Sequence, residues 1–401
     1  MIVRPARRYH RGMMKAAACM AVAALSAGLG GCAAAPAAGP TRGVSPELAG
    51  RIDAALHRGT GYLLAHQNAD GSWGTAGRTK DLNIYAPAPG AHHVFRVSVT
   101  SLCVAALIEA GGERADPNVA AAIDRAEGFL FAELPELRRP EPRSVYNVWG
   151  HAYGIEALAR MYARRPGDEA RRRLLRELMA QQVQFLRTFE SLRGGWGYID
   201  YLEKTKRPTP VNVSSTTATC LVALREAQSL GVHVPAELVA RGKEALYRMQ
   251  NPDFTYIYSE LMYFYRGKLI NRAPGSLARS QGCNLALRLW GDGRITDAVL
   301  EEWLDRLWDR NGWLSRARKM PIPHESWWGV AGYFYYWGHY YAAMCVEQLP
   351  PARRARHQAR LAEILIPLQE TDGSWWDYPM YDYHYAWGTA MAMMALHRCR
   401  N

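Results

Sequence analysis

The chain has 401 residues, 49% of them hydrophobic, and a formal charge of +12. Five of those charges precede Cys32, leaving +7 on the remainder, with no basic stripe interleaved with aromatics of the kind that binds nucleic acid. Of the seven cysteines, Cys103, Cys220, Cys283, Cys345 and Cys399 are an odd set in helical runs without CxxC spacing, which argues against a zinc cluster or a disulfide framework and for small buried side chains.

Arg4, Arg7, Arg8, Arg11 and Lys15 precede a short apolar run, Ala16 to Gly28, and then Leu29-Gly30-Gly31-Cys32. A basic head, a brief apolar segment and small residues make an export signal, too short for a spanning helix. The cysteine resembles that of the bacterial lipobox, which is acylated and becomes the mature N-terminus. Residues 1–32 are therefore expected to be a lipoprotein signal and 33–44 a flexible tether rich in Ala, Pro and Gly. Ala33, where an aspartate would favour inner-membrane retention, points to the periplasmic face of the outer membrane. No second stretch is expected to span a bilayer, and residues 45–401 are expected to form one monomeric domain.

Two kinds of helical segment alternate from Ser45 onward. One kind is amphipathic: Ser45–Gln67, Asp116–Leu134, Asp168–Phe189, Pro235–Met249, Thr296–Asn311 and Ala352–Gln369. Ser-Pro and Asp-Pro open the first two, a capping pattern. The other kind has few charges and many small residues: Val97–Ala110, Tyr146–Ala163, Ser214–Ala227, Ala278–Leu289, Tyr333–Glu347 and Tyr383–Arg398. Helices neutral all round must be enclosed by other protein. The pattern predicts an all-α (α/α)6 toroid, with an inner ring inside an outer one. Links from outer to inner helices are the long ones, so they gather on one rim, where function tends to sit.

Two inner segments share a triplet, Trp149-Gly150-His151 and Trp337-Gly338-His339, and a third carries Trp387-Gly388-Thr389. An Ala-Leu pair seven residues on sets the register of the others. One position then reads Thr100, His151, Thr217, Ser280, His339 and Thr389, a polar collar expected to face the cavity. Above it stand Tyr146, Tyr333, Tyr335, Tyr336, Tyr383 and Tyr385. Aromatic faces suit carbocations, isoprenoid chains or sugar rings alike.

Arg58-Gly59, Tyr62-Leu63, Gln67, Gly71 and Trp73, echoed by Gln369, Gly373 and Trp375, resemble the repeat of squalene–hopene cyclases and protein prenyltransferase β subunits. The resemblance covers Ser45 to the C-terminus and implies the toroid, with an isoprenoid or other lipid in its cavity. It does not extend to catalytic signatures. The DxDD and DCTAE-type boxes are absent, and so is the Asp-x-Cys of the prenyltransferase zinc site; only Asp382-Tyr383-His384-Tyr385 is similar to that site's histidine segment. Neither a metal nor another cofactor is expected. Cys345-Val346-Glu347-Gln348 matches a thioester pattern but lies at the wrong end of an inner helix.

On this reading Asp382 is the candidate acid, oriented by His384, with His151 and His339 in the cavity wall. Tyr146, Trp149, Tyr335, Tyr336, Trp337, Tyr383 and Tyr385 would shield a cation or stack on substrate. Arg272, Arg279 and His324 would take an anionic head group. The alternative is a saccharide-active enzyme. A glycosidase would need paired carboxylates, for which Asp200, Asp372, Asp377 and Asp382 are candidates, and a lyase would use His or Tyr as base. A non-catalytic binding module is the third possibility.

Overall fold

The computed structural model describes residues 43–79, 90–111, 116–137, 146–202 and 205–400. The export signal, Cys32 and nearly all of the tether lie outside the described residues. Six helices form the outer layer: α1 (Pro46–Ala65), α3 (Pro117–Glu133), α5 (Glu169–Thr188), α7 (Ala236–Met249), α9 (Asp297–Asp309) and α12 (Pro351–Leu365). Six form the inner layer: α2 (Ala91–Ala110), α4 (Asn147–Arg164), α6 (Ser214–Ser229), α8 (Leu277–Leu289), α11 (Tyr335–Glu347) and α13 (Tyr383–Arg400). A one-turn helix, α10 (Asn311–Ser315), sits in the loop after α9. Each inner helix packs on the inner helices before and after it, and α13 closes the ring on α2. The fold is the expected α/α toroid.

Ser45, Asp116, Asp168 and Thr296 cap outer helices by accepting a backbone N–H of the first turn. The inner helices are buried around most of their circumference. Helix α2 is long and apolar enough to cross a membrane, contrary to expectation, but most of its length is buried inside the ring. Cys103, Cys220, Cys283, Cys345 and Cys399 are all buried free thiols, and the Cys345 thiol points at the Gln281 carbonyl.

The recurring turn ties the two layers together. The indole N–H groups of Trp73, Trp196 and Trp375 donate to the carbonyls of Leu63, Leu186 and Leu365, each ten residues earlier, at 2.8, 2.8 and 2.9 Å. Their backbone N–H groups donate, each at 3.0 Å, to the hydroxyls of Thr100, Thr217 and Thr389 on the following inner helix. A fourth copy emerges at Gln250–Tyr256, which pairs like Gln67–Trp73 and whose Tyr256 N–H donates to Ser276. Phe254 (φ 60°) holds the left-handed position that Gly71, Gly194 and Gly373 hold elsewhere. The change of Gly to Phe and of Trp to Tyr hides this copy from a sequence search.

At Thr100, Thr217 and Thr389 the collar has the predicted register and the opposite direction: these threonines face the outer layer, because their hydroxyls are consumed by the turns. In the fourth repeat Ser276 takes the turn's N–H in place of the expected Ser280, which bonds to Ser276 at 3.1 Å. His151 donates through Nδ1 to Gln182 Oε1 (2.7 Å) and stacks between Phe185 and Phe189. His339 donates through Nδ1 to the Tyr335 carbonyl (2.7 Å) and accepts from the Asn311 amide at Nε2 (2.7 Å). Burial pushes both imidazoles down to about 4. Neither histidine lines the cavity; both tie inner helices to their surroundings.

The last turn closes the circle. Gln369 donates to the Ala55 carbonyl of α1 (3.0 Å) and pairs with Arg58, and a Cβ on Gly373 would sit 2.5 Å from the Arg58 carbonyl. Gly373 also has φ +91°, so Gly373→Ala should combine backbone strain with a clash. We expect it to destabilise the protein by ~2 kcal/mol or more in thermal unfolding. Gly312→Ala, where a Cβ meets nothing within 4 Å, should leave the midpoint unchanged. Equal midpoints for the two variants would refute this role of Gly373.

An aromatic cavity at the toroid mouth

On four inner helices the residue two positions before the collar, roughly 200° round the helix, faces the cavity: Trp149, Ser215, Trp337 and Trp387. Trp149, Trp337 and Trp387, the first members of the three triplets, close the bottom of a cavity of about 260 Å³. The Trp149 and Trp387 rings are 5.8 Å apart, and the Trp337 indole donates to Thr219 (3.3 Å). Phe95, Tyr146, Tyr198, Tyr258, Tyr333, Phe334, Tyr378 and Tyr383 form the wall. Many of their rings meet edge-on or tilted, such as Phe95–Tyr146 (5.2 Å) and Tyr333–Tyr378 (5.5 Å), the favoured aromatic geometries.

Asp377, His324, His384 and Ser215 supply the polar side chains among the aromatics, and no Arg or Lys lines the cavity among the described residues. Asp377 Oδ2 accepts the Tyr336 N–H at the start of α11 (3.1 Å), a position that favours negative charge. Burial outweighs this: with 1% of its surface exposed, the carboxyl is pushed up to about 7. A protonated acid near neutrality is therefore available among stacking surfaces.

Opposite chemistry is held by a hydrogen-bonded chain. Tyr198 and Tyr258 hydroxyls are 3.0 Å apart, Tyr258 and Tyr333 3.2 Å, and Tyr333 lies 3.0 Å from His324 Nε2. His324 Nδ1 donates to the Gly329 carbonyl (2.8 Å), which leaves Nε2 as the acceptor for the Tyr333 hydroxyl. Burial lowers the imidazole's pKa, so it is neutral and able to take a proton. His324 has φ +66°, backbone strain of a kind that gathers at functional sites.

The structure keeps part of the expected residue set. Tyr146, Trp149, Trp337, Tyr383 and His384 line the cavity. Asp382 does not: half-buried, it accepts from Thr75 (3.3 Å), and burial raises its pKa. Tyr385 stacks on His384 (4.1 Å) outside the lining. Tyr335 turns outward to Asn311 (2.8 Å), and Tyr336 sends its hydroxyl toward Arg318 (3.4 Å). Arg279 lies behind the wall, under Tyr258 and Phe334 (5.4 and 5.6 Å), its guanidinium bonded to the carbonyls of Gly275, Tyr256 and Ile270. It supports those rings and offers no cation to a ligand. Arg272 donates to the Gly267 carbonyl (2.8 Å) outside the cavity. Asp372 shapes its turn by accepting from Ser374, and Asp200 is buried outside the lining. No group of three His, Cys, Asp or Glu is placed to hold a metal among the described residues.

Phe95, Tyr198, Tyr258 and Tyr378 escaped the sequence reading. A signal for two of them exists: Tyr198, Tyr258 and Asp377 each lie two residues after the anchoring aromatic of a repeat turn, at Trp196, Tyr256 and Trp375.

No protein-family model matches the chain, and no curated protein matches it. Solved structures do. The α-1,6-mannanase GH76A from Salegentibacter sp. superposes with TM-score 0.51 at 11% identity, covering 88% of this chain and 98% of that one. A possible GH105 family member from Klebsiella pneumoniae gives 0.53 at 12%, covering 90% and 94%. A protein described as a glycosidase gives 0.52 at 12%, covering 89% and 99%. The likeness is one of fold. It supports an α/α toroid and does not single out the cyclase and prenyltransferase branch that the repeat resembles.

Because Asp377 moves from 3.8 to about 7 on folding, the folded state resists its ionisation. Its contribution is complete below about pH 4 and is lost as pH rises through about 7, of the order of 4 kcal/mol at most. Asp377→Asn should therefore melt at the wild-type temperature near pH 4 and several degrees higher near pH 8. A variant less stable than wild type at pH 8 would contradict this electrostatic account.

Proposed function

We propose that the cavity binds a small saccharide and cleaves a glycosidic bond, with Asp377 as the proton donor. The observation that carries this reading is the buried carboxyl, raised to about 7, set among aromatic faces on which sugar rings stack. The glycosidases found among the fold's structural neighbours support it. Asp377 protonates the leaving oxygen as the C–O bond breaks. Water adds to the anomeric carbon and gives its proton to Tyr333, whose own proton passes to His324 Nε2. This pair, lining the same cavity, takes the role of base that a second carboxylate otherwise fills. A lyase acting on uronates fits less well with the described lining, in which no Arg or Lys would neutralise the sugar carboxylate. The cavity volume suits one or two sugar rings held at the mouth. We further propose that the chain is an exported lipoprotein acylated at Cys32.

A panel of oligosaccharides, read by reducing-end release, tests this proposal. Asp377→Asn should lose ~10²–10⁴-fold in turnover while keeping its fold. The wild-type rate should fall as pH rises through about 7, where Asp377 gives up its proton. Tyr333→Phe should slow turnover with little change in KM. Full activity of Asp377→Asn on a cleaved sugar would sink the assignment.

A second reading rests on the same lining. A single acid surrounded by aromatic faces, with no second carboxyl lining the cavity among the described residues, also suits protonation of an isoprenoid alkene and shielding of the resulting cation. An isoprenoid identified by mass spectrometry of lipid extracted from the purified protein, with the whole sugar panel untouched, would favour it.

A further inference from the structure

Exposed large apolar side chains are distributed unevenly. Of nine among the described residues, all but Leu174 lie on the long loops at the toroid mouth. Leu261, Tyr263, Phe264, Tyr265 and Leu269 follow one another along a single loop, with Phe264 90% exposed. Trp327, 80% exposed, comes from the next long loop. Its neighbour Trp328 is held against Trp313 at 5.3 Å, while Gly329 packs beside Ile270 and so joins the two loops into one surface. Apolar groups gathered this way on one face call for a partner.

The exposed charges on the loop that carries five of them are basic: Lys268 lies 4.8 Å from the Tyr265 ring and Arg272 is next along the chain. Arg266, 4.6 Å from the Tyr263 ring, spends its guanidinium on the Gln250 and Arg248 carbonyls and on Asn251, and one exposed acid, Glu325, stands two residues from Trp327. Between Ser259 and Arg272 the one acid is Glu260, which is buried and ion-paired with Arg248. Aromatic and leucine tips flanked by the exposed cations Lys268 and Arg272 match the interface of a bilayer with anionic head groups, where rings settle at head-group level and cations meet phosphates.

We propose that this rim docks on an anionic lipid surface, so that the aromatic cavity opens onto the membrane and draws the head of an amphiphile from it. The proposal goes beyond the glycosidic reading and stands whether or not a sugar is cleaved.

The test uses the full chain and its Trp327→Phe variant with phosphatidylcholine vesicles carrying brominated acyl chains, with or without phosphatidylglycerol. The difference in emission between the two proteins isolates Trp327, which is exposed enough to be replaced without disturbing the fold. We expect loss of most of that signal on adding vesicles containing phosphatidylglycerol, and its recovery in high salt. Phe264→Ser combined with Lys268→Glu should abolish the quenching. Three results would overturn the proposal: unquenched Trp327 on a chain that sediments with the vesicles, equal quenching by vesicles lacking phosphatidylglycerol, or a lipid-independent Trp327 shift that grows with protein concentration and so marks a second copy of the chain. Since no sugar enters the assay, its failure leaves the assignment of Asp377 untouched.

Discussion

The architecture depends on one clasp, a buried indole that bonds back to its own outer helix while its backbone N–H reaches a hydroxyl on the next inner helix. Trp73, Trp196 and Trp375 each make both bonds and are fully buried. Every such clasp satisfies two donors that would otherwise be stranded in the core, a cost of about 1–3 kcal/mol each. It also fixes the rotation of the inner helix, because the accepting hydroxyl must face outward. On α6 and α13 the residue two positions earlier, Ser215 and Trp387, is then turned to the cavity. The way the two layers are joined thus bears on which residues of these helices reach the lining.

Closure gives that lining its electrostatic character. At the far end the ring is plugged by ion pairs: Arg160 with Glu109 (2.9 Å) and Glu226, and Arg398 with Glu109. Above them Glu156, raised to about 8 by burial and by Glu226, accepts the Tyr340 hydroxyl (3.0 Å). Tyr341 bonds to Thr219 (3.1 Å) just under the three tryptophans. The axis is therefore a pocket with one mouth and not a channel. Burial in such a pocket raises the Asp377 carboxyl to about 7, so that a protonated fraction persists at neutral pH, and lowers the His324 imidazole toward its neutral form.

Where sequence and structure part company, the reason is directional. Periodicity identified twelve helices and their alternation, and triplet matching identified residues at equal depth. Neither carries the sign of a side chain's direction, because helices buried on all sides have no polar face to mark the outside; on α11 and α13 the apolar asymmetry is weak. So on α11 Trp337 lines the cavity while His339, two residues away and expected in the cavity wall, turns to Asn311. Asp377 and Asp382 looked equivalent in a loop, yet one is folded under α11 and the other meets Thr75 at the rim. Tyr198 and Tyr258 were hidden for another reason: their repeat turns lack either the Gln or the Gly-x-Trp that makes the other turns conspicuous.

By itself the sequence determined the class of fold, the pairing of layers, the rim that bears the long loops and the aromatic character of the enclosed space, because these follow from local propensity and from which segments can bear contact with water. Tertiary structure alone decided which of several carboxyls is buried, which histidine meets a tyrosine and which face of each inner helix sees the axis. Those outcomes depend on contacts between residues far apart in the chain, such as Arg58 with Gln369 across the closed ring, and no local pattern encodes them.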